Sequence, residues 1–145
     1  MTEEITYPDF SFPYYASFTH PVETVWSCIE DFGGWGKWFP HLAGMKLIGD
    51  GIDKIGAVRV FKSAATDITY EEILRAKDPI ERRIEFGVLR DPAIPFIRYQ
   101  VCSAQVFPKG ENETQLVGEV IVTPACKVSE ETKAQYATLM QGVFK

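Results

Sequence analysis

An α+β domain is the fold class this sequence predicts: an antiparallel sheet of about seven strands with helices gathered on one side. Three observations predict it. Apolar residues recur at helical spacing near the amino terminus and again at the carboxy end. Between them, from Met45 to Thr123, the period changes to two and turn residues punctuate the run. The connections are short, which makes consecutive strands antiparallel. An antiparallel sheet with one apolar face must cover that face, and helices on one side are the usual solution.

Each element can be justified in order. Residues 1–12 are acidic and aromatic, bounded by Pro8 and Pro13, and read as an amino-terminal arm ahead of a single domain, 13–145. Tyr14 to Phe18 is a short strand. Thr19-His20 precede Pro21, a residue suited to the first helical position. Glu23 falls in the first turn, where the helix dipole favours negative charge. Val22, Val25, Trp26 and Ile29 then carry a short amphipathic helix to about Glu30. Gly33-Gly34 ends it, and Trp35 to Phe39 leave room for a turn or two of helix before Pro40.

Met45 to Gly49 reads as a strand, Asp50-Gly51 as a turn, and Ala57 to Lys62 as the next strand. Ile68 to Lys77 follows, ended by Asp78-Pro79. Arg82 to Val88 places Ile84, Phe86 and Val88 on one face, with Arg83 and Glu85 on the other. Arg90 to Pro95 contains two prolines and is a loop. Phe96 to Phe107 is a long strand, Lys109 to Asn112 its turn, and Thr114 to Thr123 the return. Ser129 is an N-cap, with Glu130 and Glu131 in the first turn. Tyr136, Met140, Val143 and Phe144 follow at helical spacing, and the pattern is still running at Lys145.

Composition narrows the function classes. A chain of 145 residues, 46% hydrophobic, is long enough for one domain with a real core. Its net charge of −5 is spread over interspersed signs. Clustered Lys and Arg, needed to neutralise phosphates, are missing, which excludes nucleic acid and an anionic membrane surface. No apolar run approaches the roughly 20 residues that insert into a membrane. The acidic start, Met1-Thr2-Glu3-Glu4, is unlike a signal peptide. Cys28, Cys102 and Cys126 are odd in number and far apart. A reducing, cytoplasmic setting is the expectation. Two isolated His and three scattered Cys make no zinc site. With no Gly-rich phosphate loop and no nucleophile–His pair, neither metal nor cofactor is expected. The oligomeric state is left open.

Certain strings in this order resemble the START-like superfamily, also called SRPBCC or the birch-pollen-allergen fold, and within it the polyketide cyclase/dehydrase-type proteins. They are His20-Pro21-Val22-Glu23-Thr24-Val25-Trp26, then Asp31-Phe32-Gly33-Gly34 with Trp38-Phe39-Pro40. Gly56-Ala57-Val58-Arg59, Glu71-Glu72-Ile73-Leu74 and the strand entered after Pro95 complete the set. The resemblance covers roughly residues 12–145. It implies a helix-grip fold, in which a curved antiparallel sheet wraps around a long C-terminal helix, with two short helices after the first strand. It also implies an apolar cavity between sheet and helix.

The sharpest polar constellation is Arg59, Glu72 and Tyr99. Alternation puts Tyr70, Glu72 and Leu74 on one face, and their composition marks it as inward. Tyr99 is read inward with Val101 and Ser103, leaving Arg98 and Gln100 outside. Arg59 alternates with Val58 and Val60, so parity leaves its face undecided. The three positions look like the Arg, Glu and Tyr set of plant lachrymatory factor synthases, a branch of the same superfamily. The resemblance implies an oxyanion holder, an acid/base and an assisting phenol. A carboxylate in an apolar cavity suits acid/base work, and Arg holds an oxyanion. The same Arg–Glu pair would also serve as a plain ion pair bridging two strands.

Tyr70, Phe61, Phe86, Val101, Ser103, Tyr136 and Met140 are the expected lining of the cavity, with Trp38 and His41 at its mouth. In most folds these aromatics would be ordinary core. His20 reads as a helix-start residue. Two loops, Ser63 to Asp67 and Arg90 to Pro95, are placed to gate the mouth. Neither carries the Pro-containing gate or His-Arg-Leu latch of the abscisic acid receptors. Two functions follow as expectations. One is a cofactor-independent cyclase, dehydratase or isomerase acting on an apolar substrate. The other is a non-catalytic carrier of a small apolar or aromatic molecule. A scaffold with a collapsed pocket is the third reading.

Overall fold

In chain order the elements are β1 (Phe10–Phe18), α1 (Val22–Glu30), a 3-10 helix (Phe32–Lys37), β2 (Lys46–Leu47), β3 (Val58–Lys62), β4 (Thr69–Asp78), β5 (Arg83–Arg90), β6 (Ile97–Gly110), β7 (Glu113–Pro124) and α2 (Glu130–Val143). The structure is a computed structural model that describes residues 5–38, 46–48, 54–62, 69–90, 94 and 96–143. All seven strands form one antiparallel sheet in the order β1-β7-β6-β5-β4-β3-β2. The meander β2 to β7 runs across the sheet, and β1 returns to close it beside β7. Register shifts at Glu71/Glu72 and Leu74/Ala76, and again at Ile97/Tyr99 and Pro108/Gly110, bend the strands. The helices lie against the resulting inner face, giving a helix-grip architecture.

The first strand begins earlier than the sequence suggests. Phe10 to Phe12 were expected in the arm, yet they pair with Val122 to Val120 of β7. Phe12 is buried beside Tyr14 and Ala16 in strict alternation. Pro13 does not break the strand because β1 is an edge, where a missing N–H can face away from the ladder. Pro21 likewise shifts by one position. It is the cap residue of α1, its carbonyl accepting the N–H of Thr24 and of Val25 at 3.1 Å each. The His20 carbonyl accepts the Thr114 hydroxyl at 2.8 Å, tying the helix start to β7.

The buried residues Val25, Trp26 and Ile29 seat α1 on the sheet. Its last carbonyls would be orphans, and two indoles satisfy them. Trp35 Nε1 donates to the Ile29 carbonyl at 2.8 Å, and Trp38 Nε1 to that of Cys28 at 3.3 Å. The tryptophans therefore fold the 3-10 helix back under α1, which places Phe32 and Trp35 over Phe86 of β5.

At the other end, Ser129 Oγ accepts the Thr132 N–H at 3.1 Å, the expected N-cap. Gln141 uses its amide as a short surrogate strand, accepting from Tyr15 N at 2.9 Å and donating to Tyr15 O at 2.7 Å. This covers backbone groups that an edge strand would leave open. Tyr136 is buried edge-on against Phe12 and Phe96. The helices thus divide the inner face: α2 covers the β1 side, and the 3-10 helix covers β3 to β5.

Candidate functional site

Antiparallel pairing of β3 with β4 sets Arg59 directly opposite Glu72. The question parity left open is settled: Arg59 and Phe61 point inward. Arg59 is 1% exposed. Its Nε donates to Glu72 Oε1 at 2.8 Å, its Nη2 lies 2.6 Å from the same oxygen, and its Nη1 donates to the Phe32 carbonyl at 3.0 Å. Three rings surround the guanidinium, with centroids 3.9 Å (Phe32), 4.1 Å (Trp35) and 4.7 Å (Phe86) from its central carbon. Burial pushes the Arg59 guanidinium below its ordinary value, while the charge of Glu72 and its hydrogen bond pull it back up. The cation is sealed behind aromatic rings. The carboxylate is the more exposed end of the pair, its side chain 11% exposed against 1% for Arg59.

Inward-facing residues line up in transverse rows. One row runs Arg59, Glu72, Val88, Gln100, Val122, so Gln100 sits two strands from Glu72 with Val88 between them. Gln100 is buried; its Oε1 accepts the Tyr136 hydroxyl at 2.5 Å and its Nε2 approaches Cys102 Sγ at 3.5 Å. A second row runs Ile84, Ala104, Gly118, Tyr14. There the Tyr14 ring lies across Gly118, where an added Cβ would come within 2.0 Å of it. The Tyr14 hydroxyl reaches the Ser103 carbonyl at 2.6 Å. Burial pushes the Tyr14 phenol well above its ordinary value; Cys102 and Glu72 add to the rise and Arg59 opposes it.

The predicted site residues divide accordingly. Glu72, Arg59, Phe61, Tyr70 and Phe86 share the inner face of β3 to β5, with Phe61 stacked on Tyr70 at 5.3 Å. Tyr136 and Met140 pack on the inner core from α2, and Trp38 packs on Trp35. His41 lies outside the described residues, as do the loop 63–67 and most of 90–95.

Tyr99, Val101 and Ser103 require correction: they are on the outer face of β6, and Gln100, Cys102, Ala104 and Val106 are the buried set. Tyr99 instead lies over Gly87 and accepts from Arg75 Nη1 at 3.2 Å. One cause is local to a single row, where the Tyr14 ring lies across Gly118 of β7, next to Ala104 of β6. The polar Gln100 is buried at the head of the inner set while the larger Tyr99 lies outside. Sequence reasoning also missed Gln100, Tyr14 and the aromatic walls Phe32 and Trp35. The one available signal was a glycine inside a strand, a position that commonly receives an aromatic from a neighbouring strand.

The fold and the buried polar pair define a helix-grip protein of the SRPBCC type. Residues 15–143 match the family described as polyketide cyclase/dehydrase and lipid transport, and the chain belongs to it. A search among curated proteins finds no match. Solved structures are similar in fold. An uncharacterised protein from Bacillus thuringiensis superposes with a TM-score of 0.75 at 20% identity, over 93% of this chain and 90% of that one. Major latex-like protein 151 from Panax ginseng gives 0.72 at 14% identity, over 92% and 93%. Ara h 8.0201 gives 0.71 at 11% identity, over 94% and 93%. Among the described residues, no helix is long and apolar enough to cross a membrane.

Proposed function

We propose that this protein binds a small apolar or aromatic molecule against the inner face of its sheet, as a carrier or binding protein of the cytoplasm. The observation that carries this reading over an enzymatic one is the state of Arg59. An oxyanion holder must present free donors to the reacting atoms. Arg59 is 1% exposed, each of its nitrogens is engaged by Glu72 or the Phe32 carbonyl, and three rings surround it, so its remaining N–H groups are not open to an incoming oxyanion. Tyr99, the second expected assistant, is on the opposite face. Half-buried apolar side chains at the margin of the core support the binding reading, among them Trp38, Leu47, Phe96 and Met140. Cys28, Cys102 and Cys126 form no disulfide, which fits a reducing compartment.

Native mass spectrometry of the purified protein tests the proposal. The expected result is a retained small molecule that leaves on denaturation. One specific observation keeps a second reading alive: Glu72 is inward and 8% exposed, so it retains the position of a general acid/base. If Glu72→Gln abolished turnover of an identified ligand while leaving its affinity intact, the enzyme reading would displace the carrier. Equal changes in both would favour the carrier.

A further inference from the structure

Strand β1 is a free edge of the sheet. It pairs with β7 along nine consecutive residues, from Phe10 to Phe18, without a register shift. The N–H and C=O of Tyr15 point away from β7, since both are bonded to Gln141 of α2. Strand periodicity turns the main-chain groups of Ser11, Pro13 and Ser17 to the same side. No residue of β1 is charged. A long, regular edge without charges or a bulge pairs readily with another strand unless something covers it.

Two features cover this one. Pro13 has no N–H to offer, a permanent block at one position. Gln141 is the second: its Oε1 accepts the Tyr15 N–H at 2.9 Å and its Nε2 donates to the Tyr15 carbonyl at 2.7 Å. This is the two-bond exchange that a residue of an added antiparallel strand would make with Tyr15. The block is also reversible, because Tyr136 is the one buried side chain among the described residues of α2.

The strand that fits the edge is β1 of a second copy of this chain. A two-fold axis at Tyr15 lets the two Tyr15 residues exchange both bonds, and sets Ser17 of each copy opposite Pro13 of the other. Ser17 N–H then meets the Pro13 carbonyl, so each proline removes one bond without preventing the pairing. The Tyr15 side chains, 49% exposed, become a cross-strand aromatic pair on the outer face.

We infer that the β1 edge is a self-association surface and that Gln141 is the latch holding it closed.

Sedimentation equilibrium of the whole chain tests this, comparing wild type with Gln141→Ala. The variant should self-associate about a hundredfold or more tightly, since two wild-type copies must each first break both Gln141 bonds. Adding Ser17→Pro, at an exposed edge position where proline is tolerated, should return the variant to the wild-type constant. Circular dichroism establishes that each variant is folded. Amide hydrogen exchange locates the contact: the Tyr15 N–H should exchange quickly in dilute Gln141→Ala and become protected as concentration rises. A change in association of less than about tenfold on removing Gln141 would overturn the inference. So would association that survives Ser17→Pro, or that leaves the Tyr15 amide unprotected.

Discussion

The sheet carries Arg, Glu and Tyr together twice, once on each face, and the two groups behave differently. Inside are Arg59 and Glu72, with Tyr14 close enough to feel both charges. Outside are Arg75, Glu85 and Tyr99, with Arg83 also near Glu85. In each group a tyrosine lies across a strand-interior glycine, Tyr14 over Gly118 and Tyr99 over Gly87. The inner ion pair is 2.6 Å long between side chains 1% and 11% exposed. The outer pair is 3.7 Å long between side chains 43% and 26% exposed. Residue types are the same, so the difference comes from water. Outside, solvent screens the charges and offers alternative partners. Inside, no water stands ready to replace a partner that is lost.

Removing a carboxylate from each face should show this most strongly. Glu72→Ala leaves a buried guanidinium uncompensated and should cost about 3–5 kcal/mol. Glu85→Ala should cost less than about 1 kcal/mol. Urea denaturation measures both, and repeating it in roughly 1 M salt should shrink only the Glu85 effect, since screening acts on exposed charges. Comparable losses at the two positions would break the contrast between the faces.

The same contrast explains what could be read from the sequence. On β5 the alternation was legible because Ile84, Phe86 and Val88 separate cleanly from Arg83 and Glu85, and on β4 Leu74 marked the inward face that Glu72 shares. Arg59 was undecided from its own strand, and only its register opposite Glu72 resolves it. On β6 the larger Tyr99, Val101 and Ser103 outweighed Gln100, Cys102 and Ala104, yet the smaller set is buried. The partners of β6 are remote in sequence: Tyr14 on β1 lies 89 residues before Ser103, whose carbonyl it reaches, and Tyr136 on α2 lies 36 residues after Gln100. The walls of Arg59 are equally remote, since Phe32 precedes it by 27 residues. Local pattern reports the face of a strand only when its own neighbours decide the packing. The element order depended on local signals and was legible throughout.

Glycine substitutions sharpen the comparison at the next level of effect. An alanine Cβ at Gly118 would approach the Tyr14 ring to 2.0 Å, and that ring is buried and pinned by its hydroxyl. Gly118→Ala should therefore cost about 1–3 kcal/mol, the usual penalty for overpacking. At Gly87 the nearest atom is the Tyr99 hydroxyl, at 2.3 Å. Tyr99 is half-buried at the surface and can swing aside, so Gly87→Ala should cost less than about 1 kcal/mol. Thermal melts of the two variants provide the check.

The smallest effect concerns a single hydroxyl, and pH distinguishes it from a packing loss. Tyr14→Phe leaves the Ser103 carbonyl without its phenol and should cost about 1–2 kcal/mol at neutral pH. Tyr99→Phe loses only a partly solvated bond to Arg75 and should cost a few tenths, on the order of 0.5 kcal/mol. Burial raises the Tyr14 pKa above its ordinary value of 10.0 in the folded protein. The native state then holds a proton that the unfolded chain has released, so the unfolded state binds fewer protons and stability falls as pH rises. The contribution of Tyr14 is fully present below about pH 10 and is lost as pH climbs through the higher folded value. Unfolding free energies measured upward from pH 10 should fall more steeply for the wild type than for Tyr14→Phe. Parallel curves would mean that the phenol is ionised as easily in the fold as in the open chain, and the inner face would then be wetter than the burial of Tyr14 implies.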